Sequence, residues 1–181
     1  LGKATMQIAS REAGLVAAGI ALISPMLLLQ FRPMRIDHHG WQIVMAALAL
    51  SALFWPSKKH GGMTIGLALA VWLHISLEGA PMAAAFFVLL GWRWIFQKAQ
   101  GQRLLWSTSS FALGTIALFF ATQKAGLMAA GYCDTVSPPH LAAVAIAAIV
   151  MIPAILAKPK DSRMRFCAAV VAGICAVAVL L

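Results

Sequence analysis

Residues 140–157 read HLAAVAIAAIVMIPAILA, a run without a single Lys, Arg, Asp or Glu. At about 1.5 Å rise per residue such a run, wound as a helix, has roughly the length of a bilayer's hydrocarbon core of about 30 Å. Six more apolar stretches accompany it, near 13–30, 41–55, 63–79, 81–97, 104–122 and 165–181. The chain has 181 residues, 62% hydrophobic and 10% charged, which excludes an ordinary soluble domain. The expectation is an all-α polytopic transmembrane bundle of about seven spans, with residues 1–181 forming one membrane domain. The stretch 41–55 is short for a span, at about 15 residues, which suits a thinned or protein-lined region. Frequent glycine and alanine suit close helix packing in lipid.

The basic residues give the orientation. With the N-terminus cytoplasmic, the inner segments hold Lys3, Arg11, Lys58, Lys59, Arg93, Lys98, Arg103, Lys158, Lys160, Arg163 and Arg165. Only Arg32, Arg35 and Lys124 fall outside, so the chain follows the positive-inside rule. The same asymmetry explains the net charge of +9 through anionic lipid, with no nucleic acid needed. Trp55, Trp92, Trp94 and Trp106 mark the inner interface, and Trp41 and Tyr132 the outer one. Cys133 lies outside. Cys167 and Cys175 share the last apolar stretch, about 12 Å apart along a helix axis and too far for a disulfide. The start at Leu1 and the end within an apolar run lead to the expectation of a fragment of a larger multispan protein.

Of the five acidic residues, Glu12 and Asp161 sit among inner basic residues, whereas Asp37, Glu78 and Asp134 fall on the outer side with His38, His39, His74 and His140. The densest group is Arg32-Pro33-Met34-Arg35-Ile36-Asp37-His38-His39-Gly40, between the first two apolar stretches. Polar groups at a membrane edge are costly, which points to function. The plain reading makes Asp37 the N-cap of the second long helix. The functional reading is a divalent metal site, since carboxylate oxygen and imidazole nitrogen suit Mn²⁺ or Zn²⁺ and tolerate Mg²⁺. In a regular helix Asp37 and His39 would point about 200° apart, so joint chelation needs Asp37 outside the helix. A cap position meets that need. Arg32 and Arg35 either snorkel to headgroups or grip phosphate through their planar forks.

His74 and Glu78, four residues apart, are expected on one face of the third span, lining a cavity where they orient a ligand, bind metal or relay a proton, or serving as a packing pair. The outer loop from Tyr132 to His140 carries Asp134, and its Ser137-Pro138-Pro139 suits a helix start with Ser137 as cap. His38 and Asp134 are further candidate cavity-lining residues. Glycine-rich phosphate loops, G-x-S-x-G and H-E-x-x-H are all missing from the sequence.

At Arg35-Ile36-Asp37-His38-His39-Gly40-Trp41-Gln42 the chain resembles multispan glycosyltransferases of the GT-C fold, most of all the oligosaccharyltransferase catalytic-subunit relatives of archaea and bacteria. In that family a D-H-H variant of the second acidic motif lies on an external loop, and its first and third residues help bind the catalytic divalent ion, Mn²⁺ or Mg²⁺. The resemblance places those roles on Asp37 and His39. It implies a polyprenyl-phosphate or diphosphate sugar donor used at the outer face, with a bacterial inner membrane as location and the site facing the periplasm. The family's first acidic motif has no counterpart here, so the carboxylate that activates the acceptor is expected upstream. Glu78 does not match the family's later glutamate motif, and the soluble acceptor-binding domain has no counterpart. Two rival readings stay open: a proton-coupled transporter or lipid flippase using His74 and Glu78, and a non-catalytic membrane scaffold.

Overall fold

The computed structural model describes residues 2–31, 38–123 and 135–180. Among these residues the secondary structure is helical, without strands. In chain order the α-helices are α1 (Gly2–Ile8), α2 (Arg11–Ile23), α3 (Pro25–Gln30), α4 (His39–Ala52), α5 (Lys58–Ile75), α6 (Ala80–Phe96), α7 (Gly101–Thr122), α8 (Pro138–Leu156) and α9 (Ser162–Ala178). Short 3₁₀ turns, Leu77–Gly79 and Lys98–Gln100, lead into α6 and α7. Three helical segments are long and apolar enough to cross a membrane: Leu77–Phe96, Lys98–Thr122 and Pro138–Leu156. α5 has 18 residues but opens on Lys58-Lys59-His60, and α2, α4 and α9 are shorter.

The helix starts follow local chemistry. The Ser10 hydroxyl accepts the Ala13 N–H at 3.1 Å, and the Ser57 hydroxyl accepts that of His60 at 3.2 Å. The Asp161 carboxylate accepts the Arg163 N–H at 3.0 Å. Each satisfies a donor that the first helical turn leaves open. The expected single helix over 13–30 is divided at Ser24, whose backbone is extended. Pro25 causes this, because its ring disfavours the α region for the residue before it.

The tightest interface joins α5 to α7. Gly61 and Gly62 meet Arg103 and Trp106, Gly66 meets Ser107, Ser110 and Phe111, and Ala70 meets Gly114. These pairs advance together, so α5 and α7 run parallel. A Cβ on Gly62 would lie 2.5 Å from the Arg103 carbonyl oxygen, and one on Gly66 would overlap the Ser107 carbonyl. Small residues at four-residue spacing here let two backbones touch. The Ser110 hydroxyl also donates across the interface to the Met63 carbonyl at 3.1 Å. α6 runs antiparallel to α7, with Trp94 against Gly101 and Phe87 against Phe111. α8 is likewise antiparallel to α7, with Ile155 near Gly101 and Leu141 in the cluster around Phe119. The main core runs through Ile65, Leu69, Leu90, Trp94 and Leu104, all nearly or fully inaccessible. The outward faces carry Val88, Leu113, Phe120 and Ile149, exposed apolar side chains suited to lipid.

This alternation gives the bundle two chemically different ends. At one, the end of α4 meets the starts of α5 and α7, and the end of α6 lies beside the start of α9 in a groove lined by Phe96, Arg163 and Phe166. Lys58, Lys59, Arg93, Lys98, Arg103, Arg163 and Arg165 gather here, with the Lys59 ammonium 4.6 Å over the Trp106 ring. Arg103 is only 4% exposed. It donates to the Ala52 carbonyl at 2.5 Å and the Trp55 carbonyl at 2.6 Å, satisfying the open end of α4. At the other end, Leu73, Phe119 and Val136 form a second apolar cluster, packed by Leu77 and Ala80 on either side of Glu78 and by Leu141 next to His140.

Candidate functional site

α4 begins at His39, with His38 in the cap position at φ −73°, ψ −14°. His38 is itself helical in its dihedrals and makes no side-chain cap bond, and the cap expected of Asp37 lies outside the described residues. Gly40 lets this helix start approach the end of α3: a Cβ there would sit 3.2 Å from the Phe31 ring and 3.3 Å from the Gln30 carbonyl oxygen. The His38 and His39 rings stack with centroids 4.5 Å apart and planes 22° from parallel.

Glu78 reaches the same place from another element. α5 ends at Ile75, and Ser76 turns extended (φ −161°, ψ 134°) with its hydroxyl accepting the Glu78 N–H at 3.3 Å. Glu78 thus sits on the 3₁₀ turn Leu77–Gly79, not on α5. Gly79 locks that turn against the Trp72 indole, where a Cβ would lie 2.7 Å from Cδ1. The Glu78 carboxylate lies 3.9 Å from His38 Nε2, and one donor atom from each of His38, His39 and Glu78 lies within 4.8 Å of the others.

The expectation that His74 and Glu78 share one helix face is corrected by this geometry. The extended Ser76 breaks the 3.6-residue repeat between them, and the donor cluster is made of His38, His39 and Glu78 without His74. His74 Nδ1–H donates to the Ala70 carbonyl at 2.9 Å, leaving a buried Nε2 with no hydrogen-bond partner among the described residues. His140 serves its own helix: its Nδ1 accepts the Ser137 N–H at 3.2 Å and lies 2.7 Å from the Ser137 hydroxyl at the start of α8. Asp37, Arg32, Arg35 and Asp134 lie outside the described residues.

The donor set suits a divalent ion. Metal–nitrogen and metal–oxygen bonds of about 2.0–2.2 Å place neighbouring donors about 3 Å apart. The three atoms thus need to close by less than about 2 Å. Both Glu78, with a side chain 70% exposed, and His38, 47% exposed, have room to rotate. Described residues 38–41, 74–82 and 135–141 at this end include no Lys or Arg, so a cation meets no fixed positive charge from them. Sequence reasoning gave His38 a cavity-lining role and paired Glu78 with His74, as a cavity-lining, ligand-orienting, metal-binding or relay pair, rather than with the two histidines at the start of α4. The readable signal was that Asp37, the histidines and Glu78 all flank apolar stretches on one side.

Comparison with protein-family models, with characterised proteins and with solved structures gave no match to this chain.

Proposed function

We propose that this chain belongs to a membrane glycosyltransferase that takes a sugar or glycan from a polyprenyl-phosphate or diphosphate donor. The observation that carries the reading is the convergence of His38, His39 and Glu78 at the bundle end opposite the described cluster of Lys58, Lys59, Arg93, Lys98, Arg103, Arg163 and Arg165. About seven spans with a cytoplasmic N-terminus would put the basic end at the inner face, as the positive-inside rule requires. The cluster would then face the periplasm of a bacterial inner membrane.

Asp37 and His39 would hold a divalent ion, Mn²⁺ or Mg²⁺, with His38 and Glu78 beside it. When bound, such an ion neutralises negative charge developing on a phosphate leaving group. Arg32 and Arg35 grip phosphate oxygens and orient the donor. In the transfer the acceptor's nucleophilic atom bonds to the sugar's anomeric carbon, and the anomeric carbon–oxygen bond breaks. The electron pair stays with the departing lipid phosphate, and the acceptor's proton passes to a base that is not assigned to a residue of this chain. In membrane vesicles carrying the full-length protein, Asp37→Ala is expected to abolish transfer from a polyprenyl-phosphate-linked sugar while leaving insertion unchanged. Retained turnover would refute the assignment.

The buried Nε2 of His74, without a partner among the described residues, favours a second reading, a proton-coupled transporter or flippase. Its relay partner Glu78 lies on a different element, which weakens it. This reading requires pH-coupled flux, lost in His74→Ala, with no metal requirement.

A further inference from the structure

We propose that Glu78 is itself a metal ligand, and that with His38 and His39 it forms a two-imidazole, one-carboxylate site selective for Zn²⁺ over Mg²⁺. This rests on the metal reading above but changes its ligands and its ion: Glu78 and His38 take the place given there to Asp37, and Zn²⁺ that given to Mn²⁺ or Mg²⁺.

The site joins two elements. Two donors come from the start of α4 and the third from the turn between α5 and α6. The turn is held by Ser76 and by the contact of Gly79 with Trp72, so a held backbone delivers the exposed Glu78 side chain. His38 is the only charged or ionisable described residue within ion-pair distance of the Glu78 carboxylate. Ordinary surface pairing with Lys or Arg does not explain its position. A 3.9 Å separation is too long for a hydrogen bond, yet it suits two donors facing a common point. Imidazole nitrogen favours Zn²⁺ and its first-row neighbours, whereas Mg²⁺ prefers oxygen ligands and retains its waters. Two nitrogens in a set of three weigh against Mg²⁺. Three protein ligands leave a coordination position open for a phosphate oxygen or water.

The test is titration of the purified protein in detergent with Co²⁺, read by visible d–d absorption, followed by displacement with Zn²⁺ and separately with Mg²⁺. Glu78→Gln, His38→Ala/His39→Ala and Asp37→Ala are compared, with circular dichroism as the check on folding. Expected is a Co²⁺ spectrum of low-symmetry, nitrogen-containing coordination that Zn²⁺ displaces at least about 100-fold more effectively than Mg²⁺. Glu78→Gln is expected to weaken binding by more than about 100-fold, since losing only an outer partner of a ligand costs about 10–100-fold. Binding unchanged in Glu78→Gln but lost in Asp37→Ala would overturn this proposal and leave the transferase reading standing. Equal displacement by Mg²⁺ would overturn the selectivity. Binding retained in His38→Ala/His39→Ala would place the ion elsewhere and overturn the site. No binding by the wild type would overturn both readings.

Discussion

Replacing Gly66 with alanine tests the packing that holds the bundle together. The new Cβ would overlap the Ser107 carbonyl and the Ser110 hydroxyl and approach the Phe111 nitrogen at 2.7 Å. Backbone does not yield as a side-chain tip does, so α5 and α7 must separate. Overpacking of this kind costs about 1–3 kcal/mol, and losing the Ser110–Met63 hydrogen bond adds about 1 kcal/mol. The better helix propensity of alanine returns about 1 kcal/mol. The net loss is about 2 kcal/mol, or a fall in Tm of roughly 4–8 °C for a chain of this size. Gly173→Ala on α9 is the matched control, because a Cβ there meets nothing within 4 Å. Only the propensity gain remains, so Tm should hold or rise by about 2–4 °C. The assay is thermal unfolding of both variants in the same detergent, followed by circular dichroism. A Gly66→Ala protein as stable as Gly173→Ala would refute the parallel, backbone-to-backbone α5–α7 contact.

Arg103→Met keeps much of the side-chain volume but removes the donors to Ala52 and Trp55. It is expected to destabilise by about 2–4 kcal/mol in the same assay, with Arg103→Lys restoring only part, because one ammonium does not span both carbonyls. Gly79→Ala pushes the turn off Trp72 and should weaken Zn²⁺ binding measured by calorimetry without altering a ligand; unchanged affinity would separate the turn's position from the site. In a cysteine-free background, Glu78→Cys should react with an impermeant maleimide on intact cells while Lys98→Cys should not. The reverse pattern would invert the proposed orientation.

The helical architecture was legible because long apolar runs admit few alternatives, and the observed α6, α7 and α8 lie within a few residues of the expected 81–97, 104–122 and 140–157. Glycine-mediated packing was legible only as composition; its concentration on the α5–α7 seam depends on which faces meet. Two local breaks escaped the periodicity. Pro25 was visible and its effect on Ser24 follows from ring sterics, but hydrophobicity runs unbroken across it. Ser76 ends α5 although 63–79 reads as one apolar stretch, because a serine that accepts the N–H two residues on competes with the helix. That break decides the site: it removes Glu78 from the face of His74 and turns it toward His38. Arg103 was read as an interface charge. Its burial as a cap for α4 depends on a carbonyl 51 residues away, which no local pattern encodes.

The most direct test of the metal reading is Mn²⁺ binding to the purified protein, followed by electron paramagnetic resonance, for wild type against Asp37→Ala/His39→Ala. The account predicts a saturable site in the wild type that the double variant loses while keeping its helical spectrum. Equal binding by both, or binding by neither, would contradict a metal centre at the start of α4 and with it the metal-assisted transferase.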